Sequence, residues 1–237
     1  EIGPGAGTLT KSILKFNVNK IILIEKDKTL IKLLKNLKEK NNSIEIYNKD
    51  ALSLPIWKLG SGSREVIANL PYNISTKILI NLLKNSSQFS KLTMMFQKEV
   101  AKRITAKPGS KPYSRLSVIT QLKTKTKILF DIPDTAFFPK PKVQSSLVQF
   151  IPYDNNRYNF NFEKMENLTR LVFSKKRKMI RTIFKKEGGS SFLNSISIDP
   201  NMRPENLTLE EFCKLEFALR NTKLNSTFLQ NQINKVV

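Results

Sequence analysis

Short β-branched segments alternate with amphipathic helices in the first half of the chain, and this alternation leaves few folds open. Residues 20–25, 44–48, 65–69 and 92–97 have strand character, whereas leucines recur at helical spacing over residues 29–40. Strands that alternate with helices form βαβ units, which place parallel strands in one sheet. The pattern therefore predicts an α/β fold, with Ser75 capping the helix that follows the third of these segments.

The alternation stops in the second half of the chain. Residues 125–132 and 142–152 flank a Pro-rich turn and predict an antiparallel pair at the edge of the sheet. After an Asn-rich stretch only helical patterns follow, over residues 163–174, 179–186 and 208–219. We therefore predict an α/β domain over residues 1–153 and a helical domain with a tail over residues 154–237.

The charge balance points to an anionic partner. Lys and Arg number 41 against 19 Asp and Glu, which leaves a net charge of +22 on 237 residues. Nucleic acid is the first candidate for such a partner, and an acidic membrane surface is the second.

Two residue counts exclude several kinds of site. The chain has no His, which excludes Ser–His and Cys–His mechanisms and His-ligated metals. The single cysteine, Cys213, cannot form an internal disulfide or a Cys-type zinc site, so we expect no metal and a reducing cytoplasm. No apolar run approaches the roughly 18 residues that span a bilayer.

A glycine-rich turn opens the chain as Glu1-Ile-Gly3-Pro-Gly5-Ala-Gly7 and leads into a helix. Glycines let the backbone approach a ligand closely, and Glu25 ends the next strand about 20 residues later, where a carboxylate can accept ribose hydroxyls. Asp50 follows the next strand, within reach of an adenine amino group. The alternatives are a solvated charge for Glu25 and a turn residue for Asp50.

The sharpest local signal is Asn69-Leu70-Pro71-Tyr72, at the end of the third predicted strand. A side-chain amide, backbone carbonyls and an aromatic ring lie within four residues. Together they can accept hydrogens from an exocyclic amine and stack on the base that carries it. The alternative is a strand-ending turn with a tyrosine in the core.

Two further features suit a nucleic-acid partner. Eight cations occur between residues 170 and 186 with no acid among them, and a solvated helix face, which usually carries both signs, is the alternative. Phe137 and Phe138 form either a lid over a target base or ordinary sheet-edge core. The eight cations are Arg170, Lys175, Lys176, Arg177, Lys178, Arg181, Lys185 and Lys186.

In combination these motifs resemble the ribosomal RNA adenine N6,N6-dimethyltransferases, and most closely the bacterial group that acts on the small subunit. The resemblance runs from Glu1 to about Leu219. It is carried by residues 1–10, 24–27, 69–75, 95–103, 137–143 with Ser145, and 203–207.

The resemblance implies a Rossmann-like domain that uses S-adenosylmethionine, followed by a small all-helical domain. The implied substrate is 16S rRNA in the immature small subunit, in which two adjacent adenosines near the 3′ end are dimethylated. The implied enzyme is a cytoplasmic monomer that needs no metal and has no membrane partner. The implied cofactor contacts are Glu1, Gly3, Gly5, Gly7, Glu25, Asp50, Ala51 and Asn69. The implied catalytic residues are Asn69, Leu70, Pro71 and Tyr72, with Phe137 and Phe138 around the target base and Lys175, Lys176, Arg177, Lys178 and Arg181 on RNA.

The chain departs from the family pattern in two places. Lys176 stands where an Arg is usual, which weakens the case for a bidentate phosphate contact there, and Thr182 stands where an Asn is usual. The family also has a central strand before the glycine loop that this sequence lacks. We therefore expect the 237-residue polypeptide, expressed alone, to be insoluble or molten and inactive.

Two other functions remain open from the sequence. One is adenine N6-methylation of large-subunit rRNA, as in the related macrolide-resistance enzymes. The other is a non-catalytic rRNA-binding assembly factor that keeps the fold. The run at residues 137–143 and the segment 203–207 favour the small-subunit enzyme over the first. The intact set Gly3, Glu25, Asp50 and Asn69 argues against the second.

Overall fold

A computed structural model describes residues 1–16, 18–137, 143–154 and 157–221. The chain folds into two compact units. The first unit comprises residues 1–101 and 125–152, and the second comprises residues 102–124 and the described residues from 153 onward. Within these ranges no helix is both long enough and apolar enough to cross a membrane.

The first unit is built on a mixed sheet flanked by helices. Its helices are α1 (Thr8–Ile13), α2 (Lys28–Glu39) and α3 (Tyr72–Lys84), and α4 (Lys98–Ile104) leads out of it. Its strands are β1 (Ile21–Glu25), β2 (Ile44–Asn48), β3 (Glu65–Ala68), β4 (Lys91–Gln97), β5 (Thr124–Ile132) and β6 (Ser145–Pro152).

The sheet order brings the carboxyl ends of β1, β3 and the short segment at Ile2 to the same side of the sheet. β1 pairs with β2 in parallel and β3 pairs with β4 in parallel, while Ile2 forms parallel bridges to both Ile24 of β1 and Ala68 of β3. The glycine loop therefore leaves the sheet between β1 and β3. On the far side β6 runs antiparallel to β4, and β5 lies beside β6 at the edge of the sheet.

Apolar burial explains the alternation seen in the sequence. Ile31 and Leu34 of α2 pack with Ile21, Leu23 and Ile44 of the strands beneath it in one buried cluster. The Asp27 side chain begins α2 by accepting a hydrogen bond from the Thr29 amide at 2.7 Å. The predicted α/β class is confirmed.

The start of α3 differs from the prediction. Ser75 does not cap this helix, because α3 begins at Tyr72 and Ser75 lies buried in its first turn, donating to the Tyr72 carbonyl at 3.0 Å. Pro71 precedes the helix instead, which suits a residue with a fixed φ and no amide hydrogen.

The second unit contains helices and 3₁₀ turns in its described part. Phe173 stacks on Phe212 with centroids 5.7 Å apart and meets Tyr113 edge-on at 6.0 Å. Its helices are α5 (Arg115–Lys123), α6 (Phe162–Ser174), α7 (Ile180–Ile183), α8 (Ser190–Ser195) and α9 (Leu209–Asn221).

Two features of this unit differ from the sequence pattern. Residues 102–124 group with the second unit because α5 packs on α6 and α9. The sequence pattern had placed these residues in the first domain. The division of the chain at residue 154 stays a prediction. The single helix predicted over residues 179–186 is instead α7 and a 3₁₀ turn, Lys185–Glu187. Gly188 ends this turn at φ 110°.

Candidate functional site

Gly3 brings two distant motifs into contact. Its amide donates to the Ile24 carbonyl at 2.9 Å, and its φ of +68° is one that L side chains rarely adopt. A Cβ at Gly3 would lie 2.7 Å from Cδ2 of Leu70 and 3.9 Å from the Asn69 carbonyl oxygen. The glycine loop therefore packs against the Leu70 side chain, and the positive φ is what favours glycine at this position.

Glu25 holds the other side of the loop. Its carboxylate accepts hydrogen bonds from the Gly5 amide at 3.1 Å and from the Asp27 amide at 2.9 Å, and only 9% of the residue is exposed. Gly5 has a φ of +58°, and a Cβ built on it meets nothing within 4 Å. An oriented, buried carboxylate with acceptor capacity left thus lies beside an open stretch of backbone.

Asp50 lies at the end of β2, at the same edge of the sheet. One carboxylate oxygen accepts from Lys26 Nζ at 2.8 Å and the other from the Leu52 amide at 2.9 Å. The hydrogen bond from Lys26 holds the pKa of the Asp50 carboxyl below its usual range. Asp50 is therefore an ionised acceptor and also a turn residue, and the half-buried Ala51 follows it in the turn.

Asn48 was not predicted from the sequence to be a site residue. Its side-chain amide donates to the carbonyls of Glu25 at 2.9 Å and of Lys26 at 3.1 Å, which ties the end of β1 to the end of β2. The register pairs Asn48 directly with Glu25. An asparagine at the end of the neighbouring strand was the available signal.

Glu1 contacts the helix that follows the glycine loop. The Thr10 hydroxyl donates to the Glu1 carboxylate at 2.5 Å, and Thr10 is fully buried in α1. Burial raises the pKa of the Glu1 carboxyl, and the hydrogen bond from Thr10 acts in the opposite direction. In this structure Glu1 therefore contacts the first helix after the glycine loop.

The four residues after β3 separate into different roles. Leu70 is buried, whereas Asn69 is exposed at the rim. The Pro71 carbonyl accepts from the amides of Ile74 at 3.1 Å and Ser75 at 3.2 Å, so the start of α3 uses it. Among the described residues no donor is assigned to the Leu70 carbonyl, which makes Leu70 the better backbone acceptor of the two.

Tyr72 is half-buried as the first residue of α3. Its hydroxyl and that of Ser145 share a hydrogen bond, with the oxygens 2.6 Å apart. Phe137 is also half-buried and follows the 3₁₀ turn Asp134–Ala136, while Phe138 lies outside the described residues. The lid suggested for these two phenylalanines stays a prediction.

The cations of the basic segment do not share one helix face, because Arg170 lies in α6, Arg181 lies in α7 and four others lie between these helices. The choice between RNA contacts and a solvated face stays a prediction. Residues 175–178 form a turn between α6 and α7. Lys176 Nζ donates to the carbonyls of Lys111 at 3.0 Å and Tyr113 at 3.1 Å, and the Arg181 guanidinium donates to the Asn201 side chain. Two of the five predicted RNA contacts thus also have partners within the second unit.

The other three cations of the turn differ in exposure. Arg177 and Lys178 are exposed, and no side-chain partner is assigned to either within the described ranges. Lys175 is half-buried. The exposed pair is therefore the part of the segment best placed for solvent-side contacts.

The family to which the chain can be assigned agrees with this geometry. The family model described as ribosomal RNA adenine dimethylase matches residues 1–221. The chain belongs to this family. Its members use S-adenosylmethionine as the methyl donor.

Relatives of this dimethylase span most of the chain. "Ribosomal RNA small subunit methyltransferase A" of Wolbachia pipientis subsp. Culex pipiens is 44% identical over 91% of the chain and 83% of its own length. The protein of that name from Ehrlichia ruminantium is 40% identical over the same shares.

Solved structures share the fold of this dimethylase. A dimethyladenosine transferase from Plasmodium falciparum superposes with a TM-score of 0.80 at 29% identity, covering 92% of the chain and 88% of its own. The 23S rRNA methyltransferase ErmE superposes with a TM-score of 0.68 at 21% identity, covering 93% and 89%. The Rossmann-like methyltransferase fold is confirmed.

The residues of this dimethylase fit the family cofactor. The open backbone at Gly5 offers room for a ligand, and the neighbouring Glu25 carboxylate offers acceptors for hydroxyl groups. Among the described residues, no group of His, Cys, Asp and Glu could hold a metal ion.

Proposed function

We propose that this chain transfers methyl groups from S-adenosylmethionine to N6 of two adjacent adenosines near the 3′ end of 16S rRNA in the immature small subunit, acting as a cytoplasmic monomer. The observation that carries the proposal is the contact between the Gly3 loop and the Asn69-Leu70 segment, beside the Glu25 carboxylate. It joins a cofactor cradle to a set of amine acceptors. The names of the Wolbachia and Ehrlichia relatives support the small subunit as the source of the RNA.

The cofactor-holding role falls to the edge of the sheet formed by the glycine loop, β1 and β2. Glu25 would accept hydrogen bonds from the ribose hydroxyls of the cofactor, and Asp50 would accept one from its adenine amino group. The glycines keep the backbone open to the cofactor, and two further residues border the site. These residues are Gly3, Gly5 and Gly7, with Ala51 and Glu1. When bound, S-adenosylmethionine supplies an electrophilic methyl group on a sulfonium sulfur. A chain without histidine suits this chemistry, because no strong general base is needed.

The catalytic problem lies at adenine N6, whose lone pair is delocalised into the ring. The Asn69 side chain and the Leu70 carbonyl accept hydrogen bonds from N6, two before the first methyl transfer and one before the second, which favours a tetrahedral nitrogen and localises the lone pair. In each transfer the bond from the methyl carbon to sulfur breaks as the bond to N6 forms, and N6 then loses one proton to solvent. These acceptors also stabilise the positive charge that develops on N6. Pro71 contributes by starting α3 rather than by accepting from the base, since its carbonyl is used by the helix.

Tyr72 holds the target base by stacking. An adenine that reacts at N6 must leave its own stack and enter the site, and an aromatic ring then replaces the stacking that the base gives up. The half-buried Phe137 contacts the same base in this proposal. Beyond the site, Arg177 and Lys178 make the main phosphate contacts of the basic turn, with Lys175 and Arg181 beside them.

The test is methyl transfer by the full chain to immature small ribosomal subunits, with the modified nucleotide identified by mass spectrometry. We expect N6,N6-dimethyladenosine in small-subunit rRNA and none in large-subunit rRNA offered in parallel. Methylation of the large-subunit RNA alone would overturn the choice of substrate. Binding of rRNA without measurable S-adenosylmethionine binding would favour the non-catalytic assembly factor.

A further inference from the structure

Ser145 opens strand β6 and is fully buried. It lies opposite Gln97 in the antiparallel pairing of β4 and β6, and its hydroxyl oxygen lies 2.6 Å from that of Tyr72. The two residues are 73 positions apart in sequence. The far end of the tyrosine ring is therefore tied to the sheet, while its backbone is held by the start of α3.

Ser146 is equally buried but serves a different neighbour. Its hydroxyl donates to the Asp131 carboxylate of β5 at 2.7 Å, and Lys98 Nζ contacts the same carboxylate at 2.7 Å. Successive side chains of a strand point to opposite faces, so the two serines contact separate parts of the unit. Ser146 is thus a control matched in size and burial, with a side-chain hydrogen bond to a different neighbour.

We propose that Ser145 is a positioning residue, which fixes the position of the Tyr72 ring against which the target adenine stacks. This inference rests on the proposed function. A half-buried tyrosine held only by its backbone can swing about its Cα–Cβ bond, and a stacked base loses its alignment when the ring is displaced. A hydrogen bond at the hydroxyl, opposite the point of attachment, restrains that swing without touching the base.

The test compares Ser145→Ala with Ser146→Ala and with Tyr72→Phe in methyl transfer to immature small subunits. We expect Ser145→Ala and Tyr72→Phe each to lower kcat about twofold to tenfold, as for the removal of one hydrogen bond between neutral groups. The KM for RNA and the affinity for S-adenosylmethionine should not change. Ser146→Ala should keep kcat even where it lowers the melting temperature.

The double variant separates positioning from a general decrease in stability. If the shared hydrogen bond is the cause, Tyr72→Phe combined with Ser145→Ala is no slower than either single variant. Multiplied effects in the double variant would overturn the proposal. Equal decreases of kcat in Ser145→Ala and Ser146→Ala would also overturn it.

A readout without catalysis separates this inference from the proposed function. The chain has five tyrosines, so 3-fluorotyrosine gives a small set of ¹⁹F signals, in which Tyr72→Phe identifies the one from Tyr72. We expect that signal to move or sharpen in Ser145→Ala and to stay unchanged in Ser146→Ala. An unchanged signal in both would refute the restraint on the ring, whereas a shifted signal in a chain that methylates no RNA would count against the proposed function alone.

Discussion

The predicted cofactor crevice, formed by the glycine loop, Glu25 and the Asn69-Leu70 segment, and the basic turn between α6 and α7 were both expected to bind ligands, but their residues have different surroundings in the structure. In the crevice, sheet pairing and backbone hydrogen bonds bring Gly3, Glu25 and Leu70 together. In the turn, Lys176 donates to two backbone carbonyls while Arg177 stays exposed. Motif spacing along a sheet thus predicts which strand ends lie side by side, whereas a run of charge does not predict which cations have partners within the protein.

The sharpest test of the crevice is Asn69→Ala. Because the Asn69 acceptor matters most as charge develops on N6, we expect kcat to fall about 10²- to 10³-fold, the usual range for removing one such group. Affinity for rRNA should stay nearly unchanged, measured by filter binding beside the rate. The exposed Asn36 of α2 provides a control, Asn36→Ala, that should keep the wild-type rate. An equal decrease of RNA affinity and rate in Asn69→Ala would make Asn69 a residue that binds RNA without a separate role in methyl transfer.

Glu25→Ala tests the cofactor side of the crevice. We expect the Kd for S-adenosylmethionine to rise by about 10- to 150-fold, from roughly 1.5–3 kcal/mol for a hydrogen bond to a charged acceptor. Asp50→Ala should have a smaller effect in the same direction, because Asp50 already forms an exposed ion pair with Lys26. Calorimetry gives both values, with the exposed Glu39→Ala as the control. Unchanged affinity in both variants would remove these two carboxylates from the site.

Tyr72→Ala measures the stacking contribution. Removal of the ring should cost about 1–3 kcal/mol in binding of the target base, seen as a rate about 5- to 150-fold lower at subsaturating RNA. Tyr72→Phe keeps the ring and should retain much more activity. If Tyr72→Phe were as inactive as Tyr72→Ala, the hydroxyl rather than the ring would be the essential group.

The smallest effect is expected in the basic turn, and it divides the turn into two parts. Neutralising Arg177 and Lys178 should flatten the log–log salt dependence of rRNA binding by about 0.7–0.9 for each phosphate that the protein no longer neutralises. Lys176→Ala should instead lower the melting temperature, because it removes two hydrogen bonds within the second unit. Affinity for S-adenosylmethionine serves as the control and should not change. An identical salt slope in the double variant would mean that Arg177 and Lys178 contact only solvent.

Most of the first unit follows from local pattern. Residues 44–48 were expected to form a strand and do so as β2, and α2 lies within one residue of its expected bounds. Apolar spacing predicts such elements because their burial depends on period alone. The prediction that Ser75 caps α3 was wrong because the helix already begins at Tyr72, directly after Pro71. Ser75 suits a cap by residue type but lies three residues inside the helix.

Sequence alone therefore established the α/β class, the glycine loop and the residues that end β1 and β3, since periodicity and conformational freedom are local properties. Tertiary structure decided which groups meet. Asn48 ties two strand ends together, Ser145 contacts Tyr72, and Lys176 bonds to the backbone of the second unit. Residues 102–124 likewise join the second unit through α5. These contacts link residues far apart in the chain, and sheet register and helix packing, which no local pattern specifies, bring them together.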